Sequence, residues 1–323
     1  MATLNRRRSS RFTESYEFYS SDFTRFSGSL VLTEKKSNVN YDAILDSLED
    51  LYQIPGIFRE GISLTGGAVA ILLQAAARRK PESPATDANA RPIADLSEEL
   101  YRNLRATVIY LQGLTFGTRD QRRRILELTH SSQKQQQQQK QQSSGINRSN
   151  IHDHYPHDPK LRLWITATLY ATTTEVYQRV VERMSLKRAE RTYHEFSVLA
   201  KALNLAQNSW PQSRNAFWVY WDENVELLDV DSSARPLADG LKNLQDLPAW
   251  LKVSKPFISN ITPEMLPPHV REQYGFQSSA TSRFKYRLYM GGAKAIYPVL
   301  PSAIRCMPMK RAMREVDDML REN

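Results

Sequence analysis

Leu161, Ile165, Leu169, Thr172, Val176 and Val180 recur at three- and four-residue spacing, the period of one buried helical face. Asp158 followed by Pro159 marks where that helix begins. An aspartate suits the N-cap, and proline at the first helical position gives up an N–H that the helix would leave unpaired anyway. Trp164, Thr168 and Tyr170 widen the stripe, while Arg162, Glu175, Gln178 and Arg179 are expected largely off it. Thr166, Thr168, Thr172, Thr173 and Thr174 are a heavy load for one helix, because β-branching lowers helix propensity. Either the hydroxyls line a pocket, or they bond back to their own turn and fill space.

The same periodicity predicts further helices on both sides. Tyr41 to Tyr52 carries Ile44, Leu45, Leu48 and Leu51 on one side, and Pro55-Gly56 is expected to break it. Phe58 to Arg78 is apolar throughout and contains Gly66-Gly67; paired glycines in a helix mark the close approach of another backbone or of a flat ligand. Asp95 and Glu98 have capping-box spacing before a helix through Leu100, Leu104, Thr107, Val108, Leu111 and Leu114. Thr118 and Gln121 repeat the spacing before a helix from Arg119 to His130. The glutamine-rich stretch over 131–150 cannot bury apolar surface, and is expected to be a disordered loop inserted into the domain. After the central helix, Ser185 caps Leu186 to Leu203, and aromatic-rich Asn215 to Val230 follows. Tyr286 to Tyr297 and Pro308 to Leu320 close the chain. No alternating strand pattern or repeat appears, so the fold class is all-α: a basic, irregular tail over 1–40 and one multi-helix domain over 41–323.

Composition narrows the function classes. The chain has 323 residues, 41% hydrophobic and 24% charged, as an ordinary globular protein does. Its net charge of +9 is concentrated in Arg6, Arg7, Arg8 and Arg11 and in Arg119 with Arg122 to Arg124. Zinc-finger spacing, RNP motifs and basic-aromatic repeats are all missing, so nucleic acid is not an expected partner. Cys306 is the single cysteine, which rules out an intrachain disulfide and suits a reducing, intracellular and cytoplasmic setting; between Ile304 and Met307 it reads as a buried apolar residue. The longest apolar run, Gly66 to Ala77, is too short to span a bilayer, which leaves only peripheral contact with an endomembrane surface. The arginines and absent acids of the first 13 residues are read as a basic tail rather than a transit peptide. Oligomeric state is not legible.

Two histidine groups are candidates for chemistry. His130 stands at the edge of a packed face beside Ile125, Leu126 and Leu128, as a hydrogen-bonded filler or as a ligand. At the helix C-terminus expected there, the imidazolium form is favoured, which opposes metal ligation. His152, His154 and His157, with Asp153, place three imidazoles close together and offer a divalent-cation site, hence a metal-dependent hydrolase. The protease, α/β-hydrolase, Walker and dinucleotide motifs are absent, and Gly291-Gly292 lacks the strand context of a dinucleotide loop.

Five stretches, in order, carry a resemblance: G-G-A-V-A-I-L-L-Q-A-A (66–76), N-L-R-A-T-V-I-Y-L-Q-G-L-T-F-G-T (103–118), D-P-K-L-R-L-W-I-T-A-T-L (158–169), L-P-P-H-V-R-E-Q-Y-G (266–275) and L-P-S-A-I-R-C-M-P (300–308). The set resembles the MpaB-type oxygenase and rubber oxygenase (latex clearing protein) family, an all-α, haem b-binding domain. The resemblance implies a haem-dependent oxygenase acting on a lipophilic, isoprenoid- or polyketide-type substrate with molecular oxygen. It puts the axial ligand on His130, the sole metal ligand, with Gly66, Gly67 and Thr168 at the haem. Thr107, Arg105 and Thr166 are the catalytic candidates. Asn103 stands where an arginine is common, Thr166 where many members have histidine, and Ala77-Arg78 where many read histidine and proline. The alternative is a cofactor-free binding or scaffold protein on the same fold.

Overall fold

The central helix is buried on every side. The computed structural model describes residues 40–77, 93–139, 158–205, 209–231, 234–238 and 255–322, and in it α6 (Pro159–Val180) is buried at every position from Trp164 to Tyr177. Asp158 caps it, its carboxylate accepting from Lys160 N–H, with Pro159 in the first turn. Arg162 and Glu175, expected off the apolar stripe, are buried as well, because neighbours cover the whole circumference. A helix so enclosed must satisfy its polar groups internally. Glu175 pairs with Arg179 one turn on, and burial pushes its carboxyl above the usual range. Thr166, Thr168, Thr172 and Thr174 donate to the carbonyls of Arg162, Ile165, Thr168 and Tyr170. The threonines therefore fill space and bond to their own turns, and the pocket-lining reading is not needed for these four.

The other described elements pack around α6. They are α1 (Tyr41–Glu49), α2 (Gln53–Phe58), a 3-10 helix (Gly61–Gly66), α3 (Gly67–Ala76), α4 (Ile93–Phe116), α5 (Arg119–Gln139), α7 (Leu186–Ala202) and α8 (Arg214–Glu226). The C-terminal part adds α9 (Lys255–Met265), α10 (Pro268–Gln273), α11 (Ala280–Ile296), a 3-10 turn (Tyr297–Val299), α12 (Ser302–Arg305) and α13 (Met307–Glu322). Among the described residues there is no strand, and the protein is all-α as expected. One hydrophobic core runs from Leu45 on α1 to Leu320 on α13.

Several boundaries differ from expectation. Pro55-Gly56 does not interrupt a helix but lies inside α2, where proline at an early position leaves no helical bond unmade. The apolar run expected as one helix from Phe58 is divided into the end of α2, the 3-10 helix and α3. Helix α4 starts at Ile93, so Asp95 is not its cap. Helix α5 does not stop at His130 but continues to Gln139, into the glutamine tract. Glutamine and lysine are good helix formers, and extending an existing helix carries no new nucleation cost. Residues 1–39 and 140–157, which hold the basic tail, the rest of the tract and His152, His154 and His157, lie outside the described residues.

Gly66 shows how the 3-10 helix reaches α6. A Cβ there would lie 2.8 Å from the Thr172 carbonyl oxygen and 3.0 Å from its carbon. The paired glycines thus mark a neighbouring backbone at Gly66; at Gly67 a Cβ would meet only Leu104 Cδ2, at an ordinary 3.5 Å. Gly66→Ala is expected to destabilise the fold by about 1–3 kcal/mol, since backbone cannot yield as a flexible side chain does. Gly67→Ala, at a helical φ, should be neutral or slightly stabilising. Thermal melts of the two variants side by side check this, and equal losses would contradict it.

Candidate functional site

His130 projects from the middle of α5 toward α1, α6 and the end of α7. Its ring sits edge-on to Tyr41, with centroids 5.5 Å apart. The Ala202 backbone carbonyl lies on the side of the ring where it favours the ring's proton. Nε2 is buried and has no hydrogen-bond partner among the described residues. Burial, then the nearby positive charge of Arg162, lowers the pKa to about 4 against a contribution from the Ala202 carbonyl in the other direction. His130 is thus neutral, with a buried Nε2 that no described group partners. The helix-terminus argument for an imidazolium fails because α5 does not end here.

The position of Ala202 is itself held. Asn204 adopts a left-handed φ of 55° just past α7, a conformation asparagine tolerates at helix ends. Its side-chain amide donates to the Thr129 carbonyl at 3.1 Å, while Thr129 Oγ1 donates toward the Ala202 carbonyl at 3.3 Å. The end of α7 and the residue before His130 are therefore locked together, and the imidazole inherits that alignment.

A titration follows from this geometry. Folded His130 stays neutral down to about pH 4, whereas an unfolded histidine takes up a proton near 6.5. Between those values the unfolded state binds more protons, so stability is full above about 6.5 and falls as the pH drops toward 4. With the ring partly screened by solvent, the loss between pH 7 and 5 should be on the order of 1 kcal/mol. Urea unfolding at both pH values should show this loss in the wild type and not in His130→Gln; identical pH dependence would contradict it.

The remaining candidates divide. Arg162 faces His130 electrostatically, and Thr166 is joined to it one turn on, its hydroxyl donating to the Arg162 carbonyl at 2.7 Å. Thr168 is fully buried and accepts from Gln74 Nε2 of α3 at 2.9 Å. Thr107 is buried on α4 and donates to the Asn103 carbonyl at 2.9 Å. Arg105, two residues away and so on another side of α4, is 44% exposed and pairs with Glu315 of α13 at 2.9 Å; it does not join the buried groups. Gly66 serves helix packing against Thr172.

Sequence reasoning missed Tyr41, Arg162 and the Ala202 carbonyl. Only Asn204 carried a legible signal, as an asparagine directly after a helical pattern. The stretches 266–275 and 300–308 hold the fold. Tyr274 donates to the Leu72 carbonyl of α3 at 2.8 Å, and Gln273 accepts from Val230 N–H at 2.8 Å. Arg305 pairs with buried Glu60 at 3.2 Å, and Pro308 packs where Gly61 leaves room. Cys306 is buried and free, as expected. No helix among the described residues is long and apolar enough to cross a membrane, and no cluster of three His, Cys, Asp or Glu is suited to a metal ion there.

Comparison with known proteins places these observations. The family described as ER-bound oxygenase mpaB/B'/Rubber oxygenase, catalytic domain, matches residues 57–295. An uncharacterized protein of Mycobacterium bovis and another of Mycobacterium tuberculosis are each 25% identical over 194 residues, covering 58% of this chain and 72% of their own length. No solved structure matches.

Proposed function

Because the chain belongs to the ER-bound oxygenase mpaB/B'/Rubber oxygenase catalytic-domain family, we propose that it is a haem-dependent oxygenase-type oxidoreductase in which His130 would hold the iron of haem b. Its substrate is lipophilic, of isoprenoid or polyketide type, and molecular oxygen is the co-substrate. The single observation that carries this reading is the buried, unpartnered Nε2 of a His130 whose burial lowers its pKa to about 4, so that a lone pair is available for a metal.

Haem would supply the oxygen chemistry. The chain's own residues orient and exclude water. The Ala202 carbonyl acts on the imidazole from the end of α7, and the Tyr41 ring packs edge-on against it. Arg162 keeps positive charge beside His130, which opposes protonation of the imidazole and preserves its lone pair. Thr166 and Thr107 have their hydroxyl hydrogens directed to backbone carbonyls, so each presents lone pairs and acts as an acceptor. Neither hydroxyl would compete with the His130 imidazole as a ligand of a bound iron.

A second reading, a cofactor-free binding or scaffold protein, is favoured by the closed hydrogen bonding of the α6 threonines, which leaves no free hydroxyl hydrogen for a ligand at Thr166 or Thr168. Expression with a haem precursor followed by absorption spectroscopy separates the two. The proposal expects a Soret band at near one haem per chain. A colourless, folded protein that takes up no haem on titration would favour the binding protein.

A further inference from the structure

Helix α11 has an outer face that its own fold does not use. Tyr286 and Met290 are buried on the inner side, against α6 and α9. On the opposite side Phe284 is 63% exposed and Leu288 60% exposed. With Gly291 and Ala295, they recur at helical spacing to form one apolar stripe. Arg287 and Lys294 flank it on one side and Lys285 on the other, and all three are exposed. None of the three forms an ion pair among the described residues.

The surrounding sequence has the same character. Between residues 274 and 314 there are eight Lys and Arg residues and no Asp or Glu. Of the ten large apolar side chains exposed among the described residues, five lie between 284 and 304, the last three being Ile296, Val299 and Ile304. Gly291 and Gly292 add a third observation. Among the described residues a Cβ at either would meet nothing within 4 Å, so packing against them does not require glycine there, although each weakens the helix relative to alanine. On an outer face the absent side chains allow a flat partner to come close.

We propose that the outer face of α11, centred on Phe284 and Leu288 and flanked by Lys285, Arg287 and Lys294, docks onto an anionic lipid bilayer. An apolar stripe between cationic flanks is the pattern of a helix lying in the plane of a membrane interface, its apolar side chains among the acyl chains and its cations at the headgroups. The charge favours a negative surface, and the apolar exposure continues beyond the helix through Ile296, Val299 and Ile304, so that it extends over a length of chain. That suits a planar occupant better than a single peptide. The inference does not rest on the haem reading, because its measurement is lipid binding alone.

The test is co-sedimentation of the full chain with vesicles of phosphatidylcholine, with and without about 30% phosphatidylserine, at low and high salt. The expected result is binding to the anionic vesicles only, weakened by salt as headgroup attraction is screened. Phe284→Ser/Leu288→Ser should bind at least about tenfold more weakly, with unchanged circular dichroism and melting, since both positions are exposed. Charge reversal at Lys285, Arg287 and Lys294 should do the same. Wild-type protein that stays in the supernatant overturns the proposal. So does wild-type binding that neither variant reduces, which would locate the lipid contact elsewhere in the chain. A dimer in sedimentation velocity that Phe284→Ser/Leu288→Ser dissociates, without vesicle binding, overturns it in favour of a second copy as the occupant.

Discussion

Replacing Glu195 by alanine should destabilise the protein by about 3 kcal/mol. One oxygen of this buried side chain on α7 accepts from the backbone N–H groups of Tyr52, Gln53 and Ile54, at 3.0, 2.7 and 3.0 Å. Tyr52 supplies no capping bond of its own to α2. A carboxylate from a distant helix therefore does the work of a local cap, and its charge suits the positive end of α2. Its other oxygen faces Arg191 at 3.3 Å, and Arg188 donates to Gln53 Oε1 at 2.7 Å from the same side. Alanine would strand three donors at once, where an ordinary cap loses one, worth about 1 kcal/mol. Glu195→Gln keeps an acceptor and should recover roughly half of the loss. Urea midpoints of the two variants check this. A Glu195→Ala midpoint within error of the wild type would show that α2 needs no cap from α7.

This cap was not legible in the sequence, and the reason is general to long-range polar contacts. Local signals were read correctly where they act locally: Asp158-Pro159 starts α6, Ser185 caps α7, and Thr118 and Gln121 form a reciprocal cap before α5. The spacing of Leu161, Ile165, Leu169 and Val176 identified the central helix and, with the absence of strand patterns, the all-α class. Periodicity finds a face to bury but does not say how many neighbours will cover a helix. Arg162 and Glu175 were expected off the apolar stripe, and both are nevertheless buried for that reason. The end of α5 was misjudged because low complexity was taken as a stop, whereas glutamine propagates a helix already begun.

The candidate site was legible only in part. His130 stood out as a histidine beside an apolar face, and the family resemblance gave it a role. What prepares it came from elsewhere in the chain: a carbonyl at Ala202, a ring at Tyr41 and a charge at Arg162. A backbone carbonyl has no sequence signature. Arg105 was chosen for its nearness in sequence to Asn103 and Thr107, but two residues along a helix is a turn to another side. Gly66 was correctly read as a close-approach glycine, and the thing approached is the backbone at Thr172.

The central claim is that the free nitrogen of His130 binds the haem iron. Its direct measurement is the absorption spectrum of His130→Gly after haem titration, alone and with added imidazole. Nε2 is buried without a partner among the described residues and the ring is neutral, so removing it deletes that donor; the hydroxyls of Thr166 and Thr107, which donate to backbone carbonyls, would not replace an imidazole. The account expects wild-type protein to show a Soret band, His130→Gly to lose or shift it while remaining helical by circular dichroism, and free imidazole to restore the wild-type position by filling the vacated space. A folded His130→Gly that takes up haem with an unchanged spectrum, indifferent to imidazole, would contradict it.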